Sequence, residues 1–498
     1  MNYFFIAKIF KEFYKNNGLK LFIRIFTKSI LIKIRIYVQF VIYCFRPSFS
    51  KKKFSFNKEN LLFDYLNKFT SDPILLEKYM ENKFNFLGNN FIDFIDQKNV
   101  RSEWIKKNIN FSNRRYALKL NIDLISKNYS EKNTKIVKWN FDFLSQYYWN
   151  NKKYSSLLKL NYGNGLDVKI PWEISRLQHL TKLAIMGLNE RENKNKKKIY
   201  SHIILQVFDF IILNPPRFGI NWTSNMEVGI RGSNIALITD ILQNQSILDS
   251  DQLDILYNSI HDHMKFVIEN LEWSKLSRTN HYFSNIVSLI VMANFLPLDN
   301  YNRGILSFAY NQLFNEIKNQ FHNDGGNKEG STGYHIFSNE MILIGLYFYK
   351  KNPLKDFEAI NSIKSIFNKI GQIMDSSLKL DISLEKQVYK KVNTINYFSS
   401  SCVRNDKSLI QIGDNDSGCF ISLNYNNNLM EKKSFHLHLS KKLKDTFFEV
   451  VKSSMNFQLK TKKKIKKSIS KIKFNEKDFN YKQSYFFKFP KQVKIKEI

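Results

Sequence analysis

From about residue 140 to residue 375, apolar positions recur at helical spacing, and polar breaks separate each segment from the next. The stretch "PWEISRLQHLTKLAIMGL" begins with Pro171, which suits the first turn of a helix. At least seven such segments follow one another, with no convincing strands between them. The most apolar one, residues 283–296, should be a buried inner helix, and the mixed ones should lie outside. Alternating inner and outer helices predict a mainly α fold, an (α/α) toroid.

Near residue 385 the pattern changes to β-branched and aromatic residues separated by Asn, Asp and Gly. The stretch "KQVYKKVNTINYFSSSCVRNDKSLIQIGDNDSGCFISLNYNN" is therefore interpreted as short strands. The last residues are interpreted as a lysine-rich loop and one or two strands, which cannot bury a face on their own. We therefore expect the start of an antiparallel β domain that stops early.

These patterns divide the chain into three parts: a basic and apolar N-terminal helical segment (1–53), the toroid (54–380) and a partial β domain (381–498). The N-terminal part has no apolar run of ~18 residues, as a membrane span requires. It also lacks the residue order of a signal peptide, so the sequence does not choose between periplasm and cytoplasm. Its helices either pack on the body or make a weak contact with a membrane surface.

The composition, with 43% hydrophobic and 15% aromatic residues, indicates a globular chain. A net charge of +33 favours a polyanionic partner, namely nucleic acid, anionic lipid or an acidic polysaccharide, although an AT-rich genome would produce the same lysine excess. Nucleic acid is disfavoured because the aromatic residues follow helical core spacing and no recognition motif occurs. Cys44, Cys402 and Cys419 show no CxxC spacing and predict neither a disulfide framework nor a zinc site.

Polar and aromatic residues cluster at the ends of four predicted helices, where the rim of a toroid would lie. In chain order the clusters contain Trp172, Glu173 and Arg176; Trp222, Glu227 and Arg231; Asn280 and His281; and Glu329, Tyr334 and His335. The last cluster lies in "NDGGNKEGSTGYH", which carries far more polar chemistry than a connecting turn needs.

Each cluster also has a structural explanation. Glu227 and Arg231 are spaced as an i,i+4 pair on one helix, and Glu173 with Arg176 suits an ion pair. Asn280 suits a helix cap. Tyr334 equally suits a core aromatic residue.

Taken together, the clusters fit β-elimination at a uronic acid. This reaction needs hydrogen-bond donors that neutralise the carboxylate, and their hydrogen bonds must strengthen as enolate character develops. It also needs a positioned Tyr or His to move protons. Asn280, His281, Tyr334 and Arg231 supply that set. Hydrolysis is weaker as a hypothesis because glycosidases generally need two carboxylates that face one bond.

No metal or cofactor is predicted. His261 and His263 are two residues apart, so on a helix their rings point in nearly opposite directions and cannot share one ion. Gly325 and Gly326 lack the Gly-Lys-Ser/Thr ending and the preceding strand of a phosphate-binding loop.

Five pieces of the sequence, in this order, resemble the heparinase II/III-like family of polysaccharide lyases: "WEISRLQHL", "MEVGIR", "NH" at 280–281, "DGGNKEGSTGYH" and "IGDNDSG". The resemblance covers roughly residues 140–420 and implies a toroid followed by a β-sandwich. It implies that Asn280 and His281 neutralise a uronate carboxylate, with His281 also a candidate base. It implies that Tyr334 is the general acid and also a candidate base, and that Arg231 lines the cleft.

By the same resemblance, Trp172, Arg176, Trp222, Glu227, Glu329 and His335 are expected to contact the substrate. Family members usually contribute a further histidine from the sandwich, which has no counterpart here. His436 and His438 in "FHLHLS" follow Asp416 too soon and lack the expected aspartate. The alternative to a lyase is therefore a truncated, non-catalytic remnant that binds polysaccharide.

Overall fold

A computed structural model describes most of the helical part of the chain. The described residues are 27, 30, 31, 33, 34, 36–43, 72–85, 91–95, 136–158, 160, 165–274, 278–351, 382–402, 404, 409–414 and 418–421. His436, His438 and most of the predicted β domain lie outside them. All described residues belong to one unit, Met1–Val451.

Ten α-helices follow residue 72 within the described residues. In chain order they are α1 (Pro73–Met80), α2 (Lys169–Ser175), α3 (Gln178–Asn189), α4 (Asn193–Leu213), α5 (Asn225–Asn244), α6 (Ser250–Glu269), α7 (Asn280–Phe295), α8 (Asn300–Asn319), α9 (Thr332–Lys351) and α10 (Ile382–Ser401). Two antiparallel pairs of two-residue strands precede α2: β1 (Lys83–Phe84) with β2 (Ile92–Asp93), and β3 (Phe141–Asp142) with β4 (Tyr147–Tyr148). Short 3-10 turns occupy Ser155–Leu157 and Ile220–Trp222.

The helices alternate between an inner and an outer layer. Helices α3, α5, α7 and α9 each contact the next in that series. Helix α4 packs on α3, α6 packs on α5 and α7, and α8 packs on α7 and α9. Almost all of α7 is buried, as its apolar sequence predicts. The prediction of a mainly α fold of alternating helices is confirmed.

Local sequence signals explain where the helices begin and end. Pro171 lies in the first turn of α2, and α4 ends at Leu213, just before two prolines. Asp249 caps α6 through a capping box with Gln252. The apolar pattern gave no sign of the break between α2 and α3, where Leu177 adopts a φ of 59°.

Two glycines let α5 approach its neighbours closely. A Cβ at Gly229 would overlap the Ser288 side chain of α7. A Cβ at Gly232 would lie 2.5 Å from the sulfur of Met292 and 2.8 Å from Cβ of His263. The glycines in "EVGIRGSN" therefore serve helix packing, despite their cost to an isolated helix.

The prediction of short strands is wrong for residues 382–401, which form α10 and pack on α8 and α9. Val388, Val392 and Ile395 are buried at spacings of four and three residues, and Ser399 follows four residues later. This spacing is helical. The β-branched composition suggested strands, but burial of one helical face decided the structure because β propensity depends strongly on context.

The segment 418–421 lies against the inner helices. Gln178 at the start of α3 donates its side-chain amide to the Cys419 carbonyl at 2.6 Å. Asn234 of α5 donates to the Phe420 carbonyl at 3.4 Å. Polar residues on the inner helices thus satisfy the backbone of a buried segment, as burial of peptide groups requires.

Glu340 of α9 holds the other side of the same segment. Its carboxylate accepts the N–H of Phe420 at 3.1 Å and the N–H of Ile421 at 2.8 Å. Burial raises the pKa of Glu340 to about 8, and these two donors oppose that rise.

Part of the N-terminal segment is a helix with two contrasting faces. Its residues 36–43 place the Phe40 ring 5.9 Å from that of Tyr154, and the Arg217 guanidinium lies 4.3 Å from the Tyr43 ring. The opposite face exposes large apolar side chains at helical spacing: Ile30, Leu31, Ile34, Tyr37, Val38, Val41 and Ile42. Within the described part of the chain, no helix has the length and apolar content that a membrane crossing requires.

Candidate active site

The first turn of α7 and the loop before α9 are joined by Glu329. The Glu329 carboxylate accepts the backbone N–H of Asn280 at 2.7 Å and its side-chain amide at 2.8 Å. Asn280 therefore does not cap the helix with its own side chain; Thr279 occupies the cap position. Burial raises the pKa of Glu329, and the two Asn280 donors oppose that rise. Two of the predicted clusters thus meet at this end of the helices.

Glycine is required in the loop that delivers Glu329. Gly325 adopts a φ of +94°, a left-handed conformation that side chains disfavour. A Cβ there would also lie 2.5 Å from the Thr394 carbonyl oxygen of α10. Gly325 and Gly326 therefore serve a close approach to α10, while Glu329 points to α7.

His281 extends from the first turn of α7 and is partly exposed, with 45% of its side chain accessible. Its Nδ1 lies 3.1 Å from Oε1 of Glu272, a residue of the loop before α7. The hydrogen bond to Glu272 raises the pKa of His281, and the charges of Glu272, Glu227 and Glu329 add to the rise against a lowering by burial. Three carboxylates therefore favour the protonated ring.

Tyr334 lies in the first turn of α9, and its side chain is half-buried. Its backbone N–H donates to Oγ of Ser331 at 3.1 Å, which is a typical cap of a helix start. Ser331 in turn donates to the carbonyl of Asp414 at 2.5 Å, and Thr332 donates to that of Ile410 at 2.7 Å. The segment 409–414 thus fixes the turn that presents Tyr334.

Arg176 forms a buried ion cluster with Glu173 and Glu227, called here the Arg176 cluster. The guanidinium donates to both oxygens of Glu227 at 2.7 Å and also to Glu173. Burial alone would lower the pKa of Arg176, but the two carboxylates outweigh it and raise that pKa. The structural explanation for Glu173 and Arg176 is confirmed. Glu227 pairs with Arg176 of another helix and forms no ion pair with Arg231.

The expectation that Arg231 lines a cleft is wrong. Its side chain is fully buried, donates to Nε2 of His263 at 3.0 Å and to the Asn221 carbonyl at 2.7 Å, and packs on the rings of Trp222 and Phe210. Burial lowers the pKa of Arg231 to about 9, and Glu227 opposes that change. An arginine enclosed by aromatic rings holds the core together and does not reach a substrate.

Several predicted substrate contacts also lie in the interior. Trp222 is 1% exposed, Glu227 is 1% exposed and Arg176 is 5% exposed, so the geometry gives them supporting roles. Trp172 is half-buried and donates its indole N–H to the Ile220 carbonyl at 2.9 Å. Of this group only Trp172 keeps part of its ring accessible.

His335 is likewise part of the core. It is 1% exposed, its Nε2 lies 2.8 Å from Oγ of Ser399 on α10, and its ring packs on Phe321 and Phe398. Burial lowers the pKa of His335 to about 4. The expected substrate contact is wrong for this residue, whose neutral ring joins α9 to α10.

His261 and His263 lie in different surroundings on α6. Nδ1 of His263 lies 2.7 Å from the Ser259 carbonyl and its Nε2 accepts from Arg231, while the His261 ring lies 6.3 Å from that of Tyr301. Among the described residues, no group of three His, Cys, Asp or Glu side chains is arranged to hold a metal ion.

Glu272 was missed by the sequence analysis. It stands nine residues before His281, at a helix end whose pattern shows only a polar break. Asn285 is four residues after His281 on α7, so one helix face carries both partners of Glu272. That spacing is the only local signal, because the loop conformation decides which acid reaches this face.

The family model of the heparinase II/III N-terminus matches residues 75–358, more than half of the chain. The chain belongs to the heparinase II/III N-terminal family. The match runs from within α1 to beyond α9 and includes Asn280, His281, Glu329 and Tyr334. The resemblance inferred from the five sequence pieces is confirmed.

Two solved structures of this group resemble the chain at low identity. A mutant of the heparan sulfate lyase HepC from Pedobacter heparinus has 12% identity and a TM-score of 0.40, with 73% of this chain and 42% of that chain covered. A heparinase III gene product has 15% identity and a TM-score of 0.35, with 63% and 50% covered. The chain thus spans half or less of the length of these lyases. No curated protein matches it.

Proposed function

We propose that this heparinase II/III family chain acts on a uronic-acid-containing acidic polysaccharide by β-elimination. The observation that carries the proposal is the convergence of Asn280 and His281 with the loop that leads into Tyr334. Glu329 makes that connection through two hydrogen bonds to Asn280. The family model of the heparinase II/III N-terminus, which covers these residues, supports the substrate class.

The proposed reaction begins with neutralisation of the uronate carboxylate by the partly exposed His281 and by the second side-chain N–H of Asn280, a residue that is only 4% exposed and donates its first N–H to Glu329. A raised pKa keeps His281 protonated to higher pH, which suits it to an anion. The C5 proton leaves to a base, which is Tyr334 when the His281 ring is protonated and can be His281 only when its ring is neutral. The C4–O4 bond then breaks as a C4–C5 double bond forms. Tyr334 gives a proton to the departing O4.

Other residues near the site have proposed roles in binding the sugar and in supporting the reacting groups. Trp172 is partly exposed, precedes Glu173 of the Arg176 cluster and is the proposed sugar contact. Glu329 orients Asn280 from behind, so its contribution to substrate binding is indirect. Arg231, Trp222 and the Arg176 cluster support the inner helices beneath the site.

The test measures the ultraviolet absorbance of unsaturated uronate ends with heparan sulfate, chondroitin sulfate, alginate and polygalacturonate. We expect product from at least one polymer and a loss of roughly 10²-fold or more in Tyr334→Phe, because general acid–base groups contribute about that much. Tyr397→Phe is the matched control, since Tyr397 is 61% exposed on α10.

Two outcomes would overturn the assignment. Turnover by Tyr334→Phe at the rate of the control would remove Tyr334 from its role. If the wild-type protein binds a polymer but forms no unsaturated product, the chain is a polysaccharide-binding protein and not a lyase.

We also propose that the N-terminal segment contacts an anionic membrane surface. Residues 1–53 contain twelve lysines and arginines against one glutamate. The helix within it exposes seven large apolar side chains on the face opposite Phe40 and Tyr43. An apolar stripe beside basic residues is the pattern of a helix that lies in the membrane interface.

Sedimentation with vesicles tests this contact. We expect binding to vesicles that contain phosphatidylserine and much weaker binding to pure phosphatidylcholine. A triple variant with Ile34→Ser, Val38→Ser and Val41→Ser should not bind these vesicles. The control Ile74→Ser changes an apolar residue of α1 that is 60% exposed and should bind as the wild type does. Unchanged binding by the triple variant would contradict the proposal, as would self-association that accounts for the same apolar face.

A further inference from the structure

Glu272 is bonded to two residues on the same face of α7. Its Oε1 lies 3.1 Å from Nδ1 of His281, and its Oε2 accepts the side-chain amide of Asn285 at 3.1 Å. Residues 281 and 285 are four positions apart and therefore share a helix face. The carboxylate lies along that face with one oxygen on each partner.

The Glu272 backbone is held as firmly as its side chain. Its N–H donates to Oδ1 of Asn285 at 2.9 Å, so the two residues exchange a reciprocal pair of hydrogen bonds. Asn225 of α5 donates to the same Oδ1 at 2.9 Å and to the Val267 carbonyl at 3.2 Å. Asn285 and Asn225 are buried. The loop before α7 is thus fixed to α5, α6 and α7 at one point.

We infer that Glu272 is a positioning residue that orients the His281 ring with Nδ1 inward and Nε2 toward the substrate. The inference rests on the proposed function and adds a residue to it. A hydrogen bond at one ring nitrogen decides which nitrogen carries the proton in the neutral form. With Nδ1–H donated to Glu272, neutral His281 presents the Nε2 lone pair, and protonated His281 presents Nε2–H.

Other charged groups act on His281 from the neighbouring elements. Glu227 lies on α5 and Glu329 lies in the loop before α9, and both stabilise the protonated ring together with Glu272. Glu272 alone is hydrogen-bonded to the ring. Removal of Glu272 should therefore change both the orientation and the proton affinity, whereas the other two carboxylates affect only the proton affinity.

The experiment is a pH titration of the His281 ring by NMR in the full chain, with the resonance assigned by His281→Gln. In Glu272→Gln we expect the His281 pKa to fall by about one unit, since an opposite charge in contact shifts a pKa by about that much or more. Glu272→Asp keeps the charge and should restore part of the shift. Glu190→Gln, at the end of α3, is the matched control and should leave the titration unchanged.

The activity measurement uses the same variants. Glu272→Gln should lower kcat roughly tenfold or more, with little change in KM. It should also move the limb of the pH profile that follows the His281 pKa to lower pH, which is the alkaline limb if the protonated ring neutralises the carboxylate and the acidic limb if the neutral ring is the base. A His281 pKa in Glu272→Gln equal to that in Glu190→Gln would overturn the inference. If the pKa falls in Glu272→Gln while the wild-type chain forms no unsaturated product, the positioning role of Glu272 stands and the proposed lyase function is contradicted.

Discussion

The Arg176 cluster and the first turn of α7 contain similar charged groups, which are buried in the cluster and partly exposed at the helix start. Arg176 and Glu227 have side chains only 6% and 2% accessible, and their charges are satisfied by each other. His281 and Glu272 have side chains 45% and 30% accessible, and one ring nitrogen of His281 is held while the other is available to a ligand. The comparison separates ion pairs that stabilise the fold from ion pairs that, under the proposed function, prepare a reactive group.

The two regions are also electrostatically connected. Glu227 belongs to the Arg176 cluster, yet its charge contributes to the raised pKa of His281. Through Glu227, the buried cluster thus adds a negative charge that favours the protonated His281 ring. Substitutions that distinguish stability from activity can test this division.

The largest expected effect is on stability, in Arg176→Ala. It leaves Glu227 buried without its partner, and loss of one member of a buried pair costs about 3–5 kcal/mol. Denaturant unfolding of the variant and the wild type measures the difference. Lys83→Ala removes an exposed ion pair with Glu81 and should leave the free energy of unfolding unchanged. Equal stability of the two variants would contradict the structural role of the Arg176 cluster.

A smaller, pH-dependent effect is expected in Glu340→Gln. The folded-state pKa of Glu340 is raised to about 8, so between its unfolded value and pH 8 the folded state retains a proton that the unfolded state has lost. Stability therefore falls as pH rises through this window. Between pH 5.5 and pH 8, this group should lower the free energy of unfolding of the wild type by at most about 3 kcal/mol. The Glu340→Gln variant should lose that pH dependence.

Unfolding curves at both pH values measure the change in Glu340→Gln. Glu190→Gln serves as the control with an intact slope. A slope that persists in Glu340→Gln would show that another group is responsible for it.

The smallest effect on stability is expected in His281→Ala. A partly exposed side chain outside the core should change the free energy of unfolding by no more than about 0.5 kcal/mol. Turnover should nevertheless fall by roughly 10²-fold or more if His281 neutralises the substrate or takes its proton. The measurement pairs thermal unfolding with the absorbance assay. A variant that is strongly destabilised yet fully active would reverse the comparison.

The sequence predicted the inner helices well because burial leaves a periodic signal. Residues 283–296 were expected to be an inner helix, and α7 is almost wholly buried. The same periodicity was present in Val388, Val392 and Ile395 but was outweighed in the prediction by their β-branched composition. Periodicity was the better guide in both places.

The candidate site was only partly predictable because residue type does not report depth. Asn280 and Glu329 were selected from separate motifs, and the structure joins them. Arg231 was selected on the same grounds but is enclosed by Phe210 and Trp222. Arg176 and Arg231 both carry the expected charge, but tertiary packing buries them. Packing therefore decides which groups remain accessible to a ligand.

The buried segment 418–421 also constrains how the chain can fold. The Cys419 carbonyl in this segment accepts a hydrogen bond from Gln178, which lies 241 residues earlier in the sequence. Contacts of such long range form slowly, because a large loop must close before they contribute. During synthesis, the helices from α3 to α9 leave the ribosome before the segment that crosses them. The Glu340 carboxylate and the Asn234 amide can therefore make these hydrogen bonds only after residue 421 has been made.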